Sequence, residues 1–114
     1  MTPLIQEFGF GNSLRRGDYT EAAVRAVRHA LWRNSINVAE LLGFDKDDMR
    51  VDVRIGVQAP GEVDTGQVAA VFPYGTARIE VVAGGLNVPR ADGTVTVMAQ
   101  AALSVGFEME RADD

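Results

Sequence analysis

Three short segments carry the residue types best suited to binding a ligand. The first is EFGFGNSLRRGD, residues 7–18, which sets Gly9, Gly11, Ser13, Arg15 and Arg16 just ahead of an apolar helical pattern. Backbone N–H groups in such a turn, with arginines beside them, can cradle a phosphate or a carboxylate. The segment is not a dinucleotide fingerprint. Gly-x-Gly-x-x-Gly needs a third glycine where Leu14 stands, and no Gly-Lys-Ser/Thr follows. Asp18 competes for the same position, because a carboxylate capping the helix already occupies its positive end. Two readings remain: an anion pocket, or a plain strand-to-helix turn with two exposed arginines.

The second segment is MRVDVRIGVQ, residues 49–58. Arg50, Asp52 and Arg54 share one face of a strand, about 7 Å apart at each step, so Asp52 is placed to pair with both arginines. Either this is a salt-bridged ladder on a surface, or the arginines clamp the carboxylate or phosphate of a small ligand at a subunit boundary. The third segment holds Gly84, Gly85 and Asn87 at a strand end. Paired glycines let a ligand approach the backbone closely, and they also simply turn chains.

Other groups carry weaker chemistry. His29 is the only histidine and lies in the helix that Glu21 opens, so it is a candidate general base as well as an ordinary surface histidine. Asp45, Asp47 and Asp48 form an acidic run without the glycine and distal glutamate of a calcium loop. Ser104 and Glu108 share a strand face but stand too far apart for a nucleophile–base pair. Lysine chemistry rests on Lys46 alone, and no cysteine is present, which excludes disulfides, thiolate metal sites and cysteine nucleophiles. No catalytic residue, metal or cofactor is assigned.

The elements that must position these residues read clearly. A first strand covers 3–11, with Phe8 and Phe10 on one face. Asp18 caps a helix reaching about Arg33, with Glu21 completing a capping box and Ala23, Val27, Ala30 and Leu31 forming the buried stripe. A short helical piece is expected near 38–42. Met49, Val51, Val53, Ile55 and Val57 form the dry face of the second strand. Asp64 and Gln67 open a helix over 65–72, residues 76–83 form a strand, and GGLNVPRADG, 84–93, is a loop rich in breakers. Residues 94–109 make a last long strand with Val95, Val97, Ala99, Ala101, Leu103, Val105 and Phe107 on one side. The expected fold is α+β: a βαβαββ two-layer sandwich with a four-stranded mixed sheet and two main helices on one face. The uncovered sheet face, mixing apolar residues with Arg50, Asp52 and Arg54, predicts that another subunit covers it.

The chain has 114 residues, 46% hydrophobic and 24% charged, which predicts one domain, 1–114. Net charge is −5, so nucleic acid is not an expected partner, and no apolar run is long enough to span a membrane. The start, MTPLIQEFGF, lacks the pattern of a secretory signal, and a cytoplasmic location is expected.

The order EFG-x-G, TEAAVRAVRHAL, VDVRIGV, VVAGG and AALSVGF resembles a small family of uncharacterised proteins from scattered bacteria and plants. That family carries Gly-x-Gly-x-Asp-x-His-Gly near its N-terminus. The resemblance spans about 4–109. Gly9 and Gly11 match the first two glycines, while Ser13 stands in place of the Asp, Arg15 of the His and Arg16 of the last Gly. If the family's Asp and His do acid–base or metal work, the resemblance implies a divergent member without those groups. The βαβαββ order also resembles the chorismate-mutase-like architecture, which implies a homo-oligomer, a trimer or a multiple of three, with sites between subunits. The combined expectation is an uncharacterised small oligomer. The alternatives are a small-metabolite enzyme (hydrolase, deaminase or isomerase type) using a small anionic ligand, and a non-catalytic partner of a related chain. The ligand-site candidates are Gly9, Gly11, Ser13, Arg15, Arg50, Arg54, Gly84, Gly85 and Asn87.

Overall fold

The computed structural model describes residues 2–14, 17–33, 49–72 and 75–107. The elements are β1 (Thr2–Ser13), α1 (Tyr19–Arg33), β2 (Met49–Val57), a single 3₁₀ turn (Pro60–Glu62), α2 (Thr65–Ala69), β3 (Thr76–Ala83), β4 (Leu86–Pro89) and β5 (Val95–Phe107). The expected helix at 38–42, the acidic run at 45–48 and Glu108 lie outside the described residues.

The sheet runs β1-β5-β2-β3, with β4 also paired to β5. β5 is antiparallel to β1 and to β2, and β2 is parallel to β3. The last strand therefore inserts between the first two. This is the α+β sandwich with a mixed sheet, enlarged by a fifth strand. β4 falls inside the expected loop: Leu86–Pro89 pairs with Val95–Met98, continuing the line of β2 along the same side of β5. All four of its residues are exposed, so it lacks the alternating burial that marks a strand in sequence.

Alternation sorts the strands as the patterns predict. Met49, Val51, Val53, Ile55 and Val57 of β2 and Val97, Ala99, Ala101, Leu103 and Val105 of β5 are buried under the helices. Each fully buried Val, Leu or Ile stabilises by about 1.5–3 kcal/mol. The core against them comes from Ala22, Ala23, Ala26, Val27 and Ala30 of α1, all fully buried, with Val63 and Val68.

The contact between α1 and β1 is unusually close, and the sequence states why. Gly9 and Gly11 face the helix. A Cβ on Gly9 would fall within 3.0 Å of the Ala26 carbonyl oxygen and the Ala30 nitrogen. A Cβ on Gly11 would meet the Ala26 nitrogen and the Ala22 carbonyl oxygen inside the same limit. The helix presents alanine at every fourth position, and the strand presents no side chain at Gly9 and Gly11. Two backbones can then approach almost directly.

Local caps hold the helices. The Asp18 carboxylate accepts from the Glu21 N–H at 3.0 Å. Glu21 itself reaches forward to Arg25 at 2.9 Å, and the buried Ser13 hydroxyl takes the Asp18 N–H at 3.2 Å. Asp64 accepts from the N–H groups of Gly66 at 3.0 Å and Gln67 at 3.3 Å. The Thr20 hydroxyl accepts from the Asp64 N–H at 2.9 Å and donates to the Glu62 carbonyl at 3.3 Å, tying the start of α1 to the approach to α2. α2 is shorter than expected because Val71 and Phe72 bond back three residues, to Val68 and Ala69, and the last turn tightens.

Two outcomes follow for stability. Gly9→Ala or Gly11→Ala should cost about 3 kcal/mol in urea unfolding, since backbone atoms must move. Gly61→Ala, which meets only open space, should stay within about 0.5 kcal/mol. Equal losses at all three positions would contradict the docking role. Secondly, hydrogen bonds from the Gln67 side chain and from the Gln67 and Gly66 N–H groups hold the Asp64 carboxyl below its ordinary value of 3.8. A lowered carboxyl contributes stability above that value and loses it as pH falls through the folded value. The stability gap between wild type and Asp64→Asn should therefore narrow below pH 3.8, and a widening gap would contradict it.

Candidate functional site

The described helices lie on one face of the sheet, and no described helix covers the other. Strand register assembles that face into rows. Gln6, Ser104, Asp52 and Arg78 form one row from β1 through β5 and β2 to β3. Phe8, Ala102, Arg54 and Glu80 form the next, and Phe10, Gln100, Gly56 and Val82 the third. Beyond them, Leu86 lies opposite Met98, and Val88 opposite Thr96.

The face is polar at one end and apolar at the other. A concavity of about 440 Å³ is lined by Gln6, Asp52, Arg54, Arg78, Glu80 and Ser104, with Ala102 and Val53. Gln6 Nε2 donates to Ser104 Oγ at 3.2 Å. Arg54 lies 3.4 Å from both carboxylate oxygens of Glu80. Both side chains of that pair are more than half exposed, so it contributes at most about 1 kcal/mol. Asp52 and Arg78 are opposite one another in the β2–β3 register. Neither side chain makes a hydrogen bond or ion pair among the described residues. Next to this concavity, Phe8 and Phe10 are 57% and 51% exposed, and Leu86 and Val88 are also open.

The expected ladder Arg50–Asp52–Arg54 thus takes another form. Arg54 pairs sideways, with Glu80 on the neighbouring strand, and Arg50 donates to the Met49 carbonyl at 3.3 Å. The reason is spacing. Residues two apart on one strand stand about 7 Å apart, whereas lateral neighbours on paired strands stand about 5 Å apart.

Of the nine sequence candidates, Arg50 and Arg54 lie on the open face. Gly9, Gly11 and Ser13 lie on the helix face, where the helix backbone fills the space over the two glycines. Asn87 is on that side too, opposite the buried Val97, and its Nδ2 donates to the Tyr19 hydroxyl at 2.7 Å. Gly84 and Gly85 carry the chain across the end of β2, from β3 into β4. Gly84 passes so close to Gly56 that a Cβ on it would sit 3.1 Å from the Gly56 Cα, and Gly85 has φ +63. Their N–H groups are taken by the Val57 carbonyl at 2.9 Å and the Gln100 side chain at 3.3 Å. Their carbonyls accept from Gln58 Nε2 at 3.0 and 3.2 Å. Arg15 lies outside the described residues, as does Arg16.

Gln6, Ser104, Arg78 and Glu80 line the concavity without having been singled out as a group. The alternation of Arg78 and Glu80 with Ile79 and Val81 was visible in sequence, but the register that sets them beside Asp52 and Arg54 was not. His29 also has a different use. Its Nδ1 accepts from the Phe10 N–H at 3.0 Å, and Arg25 donates to the Asn12 carbonyl at 2.7 Å, so two α1 side chains satisfy the outer edge of β1. No three His, Asp or Glu residues gather as a metal site among the described residues. No described helix is long and apolar enough to cross a membrane.

Fold and face define a small α+β protein whose sheet is helix-covered on one side and free of any described helix on the other. The family model of the conserved hypothetical proteins Lin0512_fam matches residues 3–105, and the chain belongs to that family. Among solved structures it is similar to an FtsZ-like protein of unknown function from Nostoc punctiforme. The two are 32% identical with a TM-score of 0.85, over 95% of this chain and 97% of that one. No curated protein matches.

His29→Ala should speed exchange of the Phe10 amide and lower stability by about 1 kcal/mol, the net worth of one hydrogen bond. Unchanged exchange at Phe10 would contradict the edge-capping role.

Proposed function

We propose that this protein is a cytoplasmic homo-oligomer, a trimer or a multiple of three, that buries its open sheet faces between subunits. In this reading a small anionic metabolite binds in the concavity at that boundary. The observation that carries it is the exposure of Phe8 and Phe10, at 57% and 51%, beside a polar hollow on a sheet face that no described helix covers. Apolar residues grouped in this way mark contact surfaces. The concavity carries Arg54 and Arg78 against Asp52 and Glu80, two charges of each sign, so it suits another copy of itself better than a polyanion. Arg78, without an ion pair among the described residues, is the anchor for the ligand's carboxylate or phosphate. Arg54 supports it from the next row, and Gln6 and Ser104 supply neutral hydrogen bonds. The chorismate-mutase-like resemblance agrees with trimers that place sites between subunits. An activity of hydrolase, deaminase or isomerase type would be carried out at this boundary.

A second reading, a non-catalytic partner of a related chain, draws on the Arg54–Glu80 pair, which already neutralises one arginine, and on Ser13 where the resemblance to the family leads one to expect Asp. Copurification with a related chain separates the two.

Light scattering at micromolar concentration should give a mass three times that of the chain, or a multiple of that. Phe8→Ser/Phe10→Ser should reduce it. Titration with phosphate or succinate should shift the amide signals of Arg78 and Ser104, and Arg78→Ala should weaken binding about tenfold, the worth of one charge-assisted contact. A wild-type monomer with an unresponsive face would overturn the proposal.

A further inference from the structure

The two outer strands of the main sheet are treated differently. The edge of β1 is capped by His29 and Arg25 from α1. The edge of β3 receives no hydrogen bond from any described residue, and β2 is its one neighbour among the described strands. β3 reads TARIEVVA, without proline or lysine, the residues that commonly protect an edge from pairing. An edge of this kind is a template for another strand.

Its register for such pairing can be derived. The Gly84 N–H bonds to the Val57 carbonyl of β2. Alternation along β3 then turns the backbone groups of even-numbered residues toward β2 and those of Ala77, Ile79 and Val81 outward. If two copies of β3 meet antiparallel with Ile79 opposite Ile79, these outward groups fall opposite one another. Ala77 faces Val81 of the other copy, and each such pair exchanges both N–H···O bonds. Between them, Arg78 of one copy lies opposite Glu80 of the other, and the reverse. These are the non-hydrogen-bonded positions, where side chains come closest. Arg78, which has no ion pair among the described residues, gains a carboxylate along one edge of its five-donor guanidinium and keeps its other N–H groups for the concavity, and Glu80 is shared between Arg54 and the incoming arginine. On the opposite face, the half-buried Ile79 and Val81 continue the core across the junction.

We propose that β3 pairs antiparallel with β3 of a second copy about a two-fold axis through Ile79, extending the sheet from one subunit into the next. This contact is separate from burial of the open face. A trimer closed through its faces and joined to a second trimer through β3 edges satisfies both.

Hydrogen exchange read by NMR over a dilution series tests it. The Ala77, Ile79 and Val81 amides should exchange on the order of tenfold or more slowly when assembled than when dilute. Ala77→Pro, which removes an outward N–H at an edge position, should lower the particle mass. Arg78→Glu should also lower it, and Arg78→Glu/Glu80→Arg should restore it. Both of those residues are exposed, so the charge-swap pair decides the matter even if the proline variant fails to fold. Concentration-independent exchange at the three amides overturns the pairing, as does a swap that neither disrupts nor restores. Loss of their protection in Phe8→Ser/Phe10→Ser assigns it to the face contact and overturns the edge pairing as well.

Discussion

The structure depends on the contact between α1 and β1, where Gly9 and Gly11 offer no side chain and Ala22, Ala26 and Ala30 offer almost none. Where a usual interface interlocks side chains, here one backbone rests near another. Dispersion attraction falls off steeply with distance, so this closeness itself stabilises. It also fixes the position of the helix, because few other alignments let the backbones meet without collision. From that seat, Val27 reaches the valines and leucine of β2 and β5, and Thr20 reaches the segment before α2.

The same contact explains why the two sheet faces differ. With its glycines turned to the helix, β1 must send Phe8 and Phe10 to the other side. The largest apolar groups of the strand are thus displaced from the core and set beside Asp52, Arg54, Arg78 and Glu80. Glycine gives close docking on one face and an aromatic surface on the opposite one. The helix that sits on the glycines also lends Arg25 and His29 to the outer edge of β1, whereas no described residue bonds to the outer edge of β3.

Much of the fold was legible in the chain. The alternation of Met49 to Val57 and of Val95 to Phe107 fixed two strands and their buried faces, and Asp18 and Asp64 marked both helix starts. β4 was not legible, since a four-residue strand containing Pro89 and buried on neither face leaves no periodic trace. The candidate site was only half legible. Arg54 could be assigned to a polar strand face, but its neighbours Gln6, Arg78, Glu80 and Ser104 come from three other strands, and only register brings them together. Glycine was the most ambiguous letter. Gly9 and Gly11 have the spacing of a phosphate loop because both uses need the same thing, a backbone that something else can approach closely. Whether that neighbour is an anion or a helix cannot be read from a glycine alone.

The fold requires that a helix occupy the space over Gly9 and Gly11. Nuclear Overhauser contacts measured at the α-protons of these two glycines test it most directly. Strong contacts are expected from Gly11 to Ala22 and Ala26 and from Gly9 to Ala26 and Ala30, unchanged when phosphate is added. Absence of those contacts, with Gly9 and Gly11 amide signals moving as phosphate is titrated, would contradict it and return the segment to an anion-binding loop.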